Sequence, residues 1–138
     1  MKALMHTKTF VEIYIGRNGE FDIYTASLVK HLQNALGKTN NALICVLPYP
    51  EKDMRYYEKY YDSIIIPECI ANSHPKSTIT KRNKWMVEQA DLFVCYVERE
   101  KGGAYAALKY AQKLKKPIIN LAQKECEYAE EGALTKPD

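Results

Sequence analysis

The chain has 138 residues, the size of one domain with room for a real hydrophobic core. Hydrophobic residues make up 46% and charged residues 27%, an ordinary globular composition, and a net charge of +3 suits an anionic small molecule but falls short of a dedicated nucleic-acid binder. No secretory signal or membrane-length apolar run is visible, so no membrane partner is expected.

The four cysteines (Cys45, Cys69, Cys95, Cys126) lie far apart, with no CxxC and no metal-type spacing. Neither a metal nor a cofactor is expected. Cys45 and Cys95 fall inside strand-like runs, where a free thiol packs as a small apolar group. A reducing cytoplasm is the expected setting.

In chain order, Met1–Phe10 shows no clear periodicity. Val11–Ile15 (VEIYI) is a short apolar run that predicts a strand ending at Gly16. Gly16-Arg17-Asn18-Gly19-Glu20-Phe21-Asp22 is a polar glycine turn into a helix from about Phe21 to Leu36. Its apolar stripe is Ala26, Leu28, Val29, Leu32 and Leu36, and Gly37 supplies the stop. Ala42–Leu47 predicts a second strand, closed by Pro48-Tyr49-Pro50. Asp53 can cap a short helix over Met54–Tyr61, which places Tyr56, Tyr57, Tyr60 and Tyr61 on one side. A half-buried aromatic face is the expectation there, ahead of a stacking surface for a base or a partner.

Ser63–Ile66 predicts the third strand, and Pro67–Thr78 a long polar loop. In a helix from about Ile79 to Ala90, Ile79, Trp85, Met86 and Val87 can face the core, while Lys81, Lys84 and Glu88 read as solvated. Leu92–Val97 is a strand, followed by a turn ending in Gly102-Gly103, a helix over Ala104–Lys115 and a strand over Pro117–Leu121. The polar tail Ala122–Asp138 carries no clear pattern.

The order β-α-β-α-β-α-β-α-β predicts an α/β domain, an open parallel sheet of about five strands with helices on both faces. A single domain over 1–138 is expected, with 1–10 and 122–138 peripheral. Such sheets bind ligands beyond the carboxyl ends of their strands, where strand order reverses. The simplest place for that reversal is between Val11–Ile15 and Leu92–Val97, which would draw three segments to one cleft.

The first segment offers Gly16 and Gly19 for close backbone approach, Arg17 as a cation, Asn18 as an amide, and Glu20 and Asp22 as acceptors for sugar hydroxyls. It is not GxGxxG, so a dinucleotide fingerprint is absent. Glu20 and Asp22 also simply suit a helix N-terminus through its dipole. The second segment brings Lys76, Arg82 and Asn83. Arg82 can grip a phosphate through two parallel hydrogen bonds, or pair with a surface acid. His74 reads as a loop residue. In the third segment Glu98 is placed to reach the cleft, and Gly102-Gly103 open a helix whose first N–H groups favour an anion. Two glycines also suffice to make a tight turn.

Together, GRNGEFD, HPKSTITKRNKWM and ADLFVCYVEREKGGAYAALKYAQKLKKPIINL resemble the SLOG superfamily, and within it the YpsA-like branch of uncharacterised bacterial and phage proteins. The likeness covers roughly Val11–Leu121. It implies a Rossmann-like sheet that binds nucleotides or nucleotide-derived ligands, with Gly16, Gly19, Arg82, Asn83, Gly102 and Gly103 matching the family's glycine turns and its RN pair. Two departures stand out. Family members usually begin with a further strand and a Gly-His-Arg-type turn, whereas Met1–Phe10 looks like the end of the helix after that strand. Either the chain is a shortened form or another segment fills the gap, and an unpaired edge would favour a homodimer. Relatives that release bases also carry GG-x-GT-x-x-E, and Gly102-Gly103-Ala104-Tyr105-Ala106-Ala107 lacks the hydroxyl and the acid.

The leading expectation is therefore a module that senses or sequesters a nucleotide-like ligand. An N-glycosidic enzyme is the alternative, with Glu20 and then Glu98 as the carboxylate beside the sugar carbon. Single-stranded nucleic-acid binding comes third, disfavoured by the modest charge.

Overall fold

The computed structural model describes residues 10–17, 19–37, 40–70 and 74–122; the expectations for Met1–Thr9, Asn18, Cys126 and the tail beyond Ala122 lie outside them. The chain divides into two units, Met1–Arg82 and Asn83–Asp138.

The first unit is built on β1 (Val11–Ile15), β2 (Asn41–Val46) and β3 (Ser63–Ile65), joined by α1 (Glu20–Leu36) and α2 (Met54–Tyr60). The strands pair in parallel in the order β1-β2-β3, with Val11 opposite Asn41 and Ile44 opposite Ser63. β2 is central because its sequence is apolar without alternation. Leu43, Ile44, Cys45 and Val46 are all buried, the pattern of a parallel strand covered on both faces. Ile15, Ala26, Val29, Leu43, Cys45, Leu47 and Tyr61 form the core, with Tyr57, Tyr60 and Ile64 packed against it.

The stripe expected on α1 is only partly the buried one. Ala26 and Val29 are buried, but Leu28 and Leu36 are each 39% exposed, and Gln33 is buried instead. Burying an amide is costly unless its polar atoms are paired, and here the Nε2 donors are paired while Oε1 has no hydrogen-bond partner among the described residues. Gln33 Nε2 donates to Asn41 Oδ1 (3.0 Å) and to Asp62 Oδ2 (2.8 Å), and the same Asp62 oxygen accepts the Leu43 N–H (2.8 Å). One carboxylate thus ties α1 to β2 beside the start of β3.

In α2 the expected cap is present, since Asp53 Oδ1 accepts the Arg55 N–H at 3.1 Å. The tyrosines form a graded face. Tyr61 is buried, Tyr57 and Tyr60 are half-buried and Tyr56 is exposed, with Tyr56–Tyr60 and Tyr57–Tyr61 stacked. The long loop after β3 contains two short 3-10 turns, Glu68–Ile70 and Pro75–Ser77.

α3 (Thr78–Gln89) contributes Thr78–Arg82 to the first unit and its remainder to the second. On α3, Ile79 is 38% exposed rather than in the core, while Val87 is buried and Lys81, Lys84 and Glu88 are solvated as expected. The second unit continues with β4 (Phe93–Cys95), α4 (Gly103–Lys113) and β5 (Ile118–Asn120). β4 and β5 pair in parallel from Phe93 opposite Ile118 to Cys95 opposite Asn120.

All five expected strands form and every pairing is parallel, but the ladders group them as three and two. β4 is also shorter than the apolar run Leu92–Val97. Its ladder stops at Cys95 because the Asn120 side chain takes over: Oδ1 accepts the Val97 N–H and Nδ2 donates to the Val97 carbonyl, both at 3.0 Å.

Candidate functional site

In the first unit the carboxyl ends of β1 and β2 meet around Arg82. This guanidinium is 2% exposed and donates from Nη1 to the Val46 carbonyl at 2.8 Å. It lies flat against Gly16, where an added Cβ would sit 3.0 Å from Nη1 and 3.1 Å from Cζ. Burial lowers its pKa from the ordinary value, and the Asp22 carboxylate opposes that shift. Arg82 is thus a buried cation that braces two strand ends, with at least one donor committed to backbone.

Arg17, next along from Gly16, turns to α2. Its Cζ lies 4.9 Å from the centre of the Tyr56 ring and 5.1 Å from that of Tyr57, and Nη1 donates to the Tyr57 hydroxyl at 3.1 Å. Burial would lower its pKa, but the Tyr57 hydrogen bond and the neighbouring tyrosines leave it above the ordinary value. Gly19 is the N-cap of α1, without a side-chain cap bond; Glu20 is exposed and Asp22 half-buried in the first turn.

Lys76 is exposed, and its N–H donates to His74 Nδ1 at 3.1 Å, so His74 does serve the loop. The Cys45 thiol is pushed up to about 11, by burial first, against the lowering effects of Arg82, Arg17 and a hydrogen bond with Tyr61. A thiol protonated at neutral pH is no nucleophile.

In the second unit the Asn120 clamp fixes Val97, and the chain beyond it runs through Glu98, Arg99, Glu100 and Lys101 to Gly102. Gly102 has φ 95°, a conformation that favours glycine, and it caps α4 without a side-chain bond. Gly103 is not forced by space, since a Cβ there would meet only Asn83 Nδ2 at an ordinary 3.8 Å. The Asn83 amide therefore stands beside the first residue of α4. An open cleft of about 310 Å³ lies here, at the carboxyl end of β4, bordered by Tyr96, Glu98, Arg99, Lys101 and Tyr105.

The structure thus brings Gly16, Arg17, Asp22 and Arg82 to one end of the three-stranded sheet, and Asn83, Glu98, Gly102 and Gly103 to one end of β4. Sequence reasoning missed four participants. Arg99 and Lys101 belong to the charged run before the glycine pair, and Tyr96 and Tyr105 fall in no pattern that marks a site. Among the described residues no group of three or more His, Cys, Asp or Glu could hold a metal ion, and no helix is long and apolar enough to cross a membrane. No protein-family model, curated protein or solved structure matches the chain.

Proposed function

We propose that this chain binds a nucleotide or nucleotide-derived ligand as a sensor or sequestering module, and that it is a SLOG-like protein of the YpsA-like kind with a Rossmann-like fold. The observation that carries the reading is the cleft beyond β4. It combines two cations, one carboxylate, two aromatic rings and the uncapped first turn of a helix in about 310 Å³, at the small end of ligand-site volumes. The Gly103 and Ala104 N–H groups with Arg99 and Lys101 would bind the phosphate, Glu98 would accept sugar hydroxyls, and Tyr96 and Tyr105 would flank the base.

Gly103→Ala is the sharpest probe, because its Cβ meets nothing closer than 3.8 Å and alanine is the better helix former. The variant should fold as well as the parent yet lose nucleotide affinity in calorimetric titration. Arg99→Ala or Lys101→Ala should weaken a phosphate-bearing nucleotide about tenfold while leaving the nucleoside alone. Unchanged affinity across all three variants would remove this placement.

The enzymatic reading rests on Glu98 bordering the cleft. Free base that appears with time, and disappears in Glu98→Gln, would favour it. Native mass measurements on the same samples would show whether the chain is a homodimer. Nucleic-acid binding would show as affinity that falls steeply with salt.

A further inference from the structure

We infer that Arg17 is an oxyanion-binding residue of the first unit, and that Tyr56 and Tyr57 are positioning residues that hold its guanidinium at the carboxyl end of β1. Three observations meet in this assignment. The guanidinium is fixed before any ligand arrives, over two rings at 4.9 and 5.1 Å and by a hydrogen bond to Tyr57 at 3.1 Å. An arginine ordered in advance loses less side-chain freedom when it binds.

Second, Arg17 has no carboxylate partner among the described residues. The titratable groups named as acting on it are tyrosines (Tyr57, Tyr61, Tyr56), with Cys45 also in its field, whereas the Asp22 carboxylate acts on Arg82 and Cys45. A guanidinium has five N–H donors, and the hydrogen bond to Tyr57 uses one of them. Third, Arg17 lies two residues before the N-cap of a 17-residue helix whose cap makes no side-chain bond, so further backbone donors stand at the same end of the sheet. An aromatic ledge orients the cation without neutralising it, which a salt bridge could not do. The chemistry it fits is a phosphate-type or carboxylate oxyanion.

The test is to follow the Arg17 Nε–Hε resonance in the full chain during titration with pyrophosphate and, separately, malonate. A shift that saturates is expected, tighter with pyrophosphate if the ligand is a phosphate and with malonate if it is a carboxylate. Tyr57→Phe keeps the ring and removes only the hydroxyl, and should weaken the response about twofold to tenfold. Tyr56→Leu, at a 52% exposed position, should reduce the ring-current displacement of the Arg17 signal to what Tyr57 alone produces and weaken binding to a similar degree. Leu43 and Val46 amide shifts should stay put in both variants, reporting an intact sheet.

An Arg17 signal that neither anion moves overturns the assignment, and parental affinity in both tyrosine variants overturns the positioning role. The Gly103 and Ala104 amides report the cleft beyond β4 in the same spectra. A response there with silence at Arg17 removes this inference alone, and the converse removes the nucleotide placement alone.

Discussion

Gly16 sets how closely the Arg82 guanidinium can lie against the end of β1. A methyl group at 3.0–3.3 Å from three guanidinium atoms requires Arg82 to move, yet Arg82 is buried and bonded to Val46. Gly16→Ala should therefore cost about 1–3 kcal/mol, the range for overpacking, in urea unfolding. In an Arg82→Met background most of that cost should vanish; equal costs in both backgrounds would show that the two residues do not interact. Both residues were legible in the sequence as notable, but as ligand contacts. Their mutual packing was not, because no local pattern links a turn after the first strand to a residue inside α3.

Cys45 and Cys95 carry a pH consequence. Both thiols are raised by burial from 9.0 to about 11. The folded state therefore holds these protons more tightly than the unfolded state. The associated stability is complete below pH 9 and is lost as pH rises toward 11. Thermal melts of a chain with Cys69 and Cys126 replaced by serine should show that alkaline loss, reduced by Cys45→Ala. The same protein should resist iodoacetamide at pH 7.5 until it unfolds.

At the scale of elements, a side-chain amide extends the β4–β5 ladder. Asn120 is 7% exposed and gives Val97 a donor and an acceptor, as a neighbouring strand would, and its Oδ1 also accepts the Ala122 N–H at 3.2 Å. Asn120→Asp keeps the acceptor but sets a carboxylate oxygen against the Val97 carbonyl. It should cost about 2 kcal/mol or more, the scale of a buried polar group left unpaired, and accelerate amide exchange from Val97 to Lys101. A neutral substitution would mean the clamp is idle. The strands and helices themselves were legible to within a residue or two at most ends, from apolar runs, glycine stops and the Asp53 cap. Polar residues inside elements were not. No local pattern marks Gln33 or Asn120 as buried, and the hydrogen bonds that offset their burial come from partners distant in sequence.

For the whole molecule, β2 is the strand paired on both sides, and every residue from Leu43 to Leu47 is buried. Hydrogen exchange should be slowest there and faster across the three-residue ladder of β4 and β5. Faster exchange in β2 than in β4 would contradict this hierarchy. The number and direction of the strands could be read from the sequence, but not their grouping into three and two, since hydrogen-bond partners are fixed by tertiary contacts. The candidate site was legible in its glycines and in Glu98. Its flanking tyrosines and cations were not, because an exposed charge or ring has no periodicity to betray it.

The tyrosine face of α2 and the single tryptophan give the chain two optical handles. Tyr56, Tyr57, Tyr60 and Tyr61 form ring pairs with centroids 5.0–6.3 Å apart, close enough for their transitions to couple and contribute to near-ultraviolet circular dichroism. The single tryptophan, Trp85, belongs to the second unit and can be excited selectively. In one unlabelled sample the tryptophan emission therefore follows the second unit alone. Its melting curve can be compared directly with that of the coupled tyrosine bands, in which loss of the Tyr56–Tyr61 cluster is separated by the Tyr56→Leu variant.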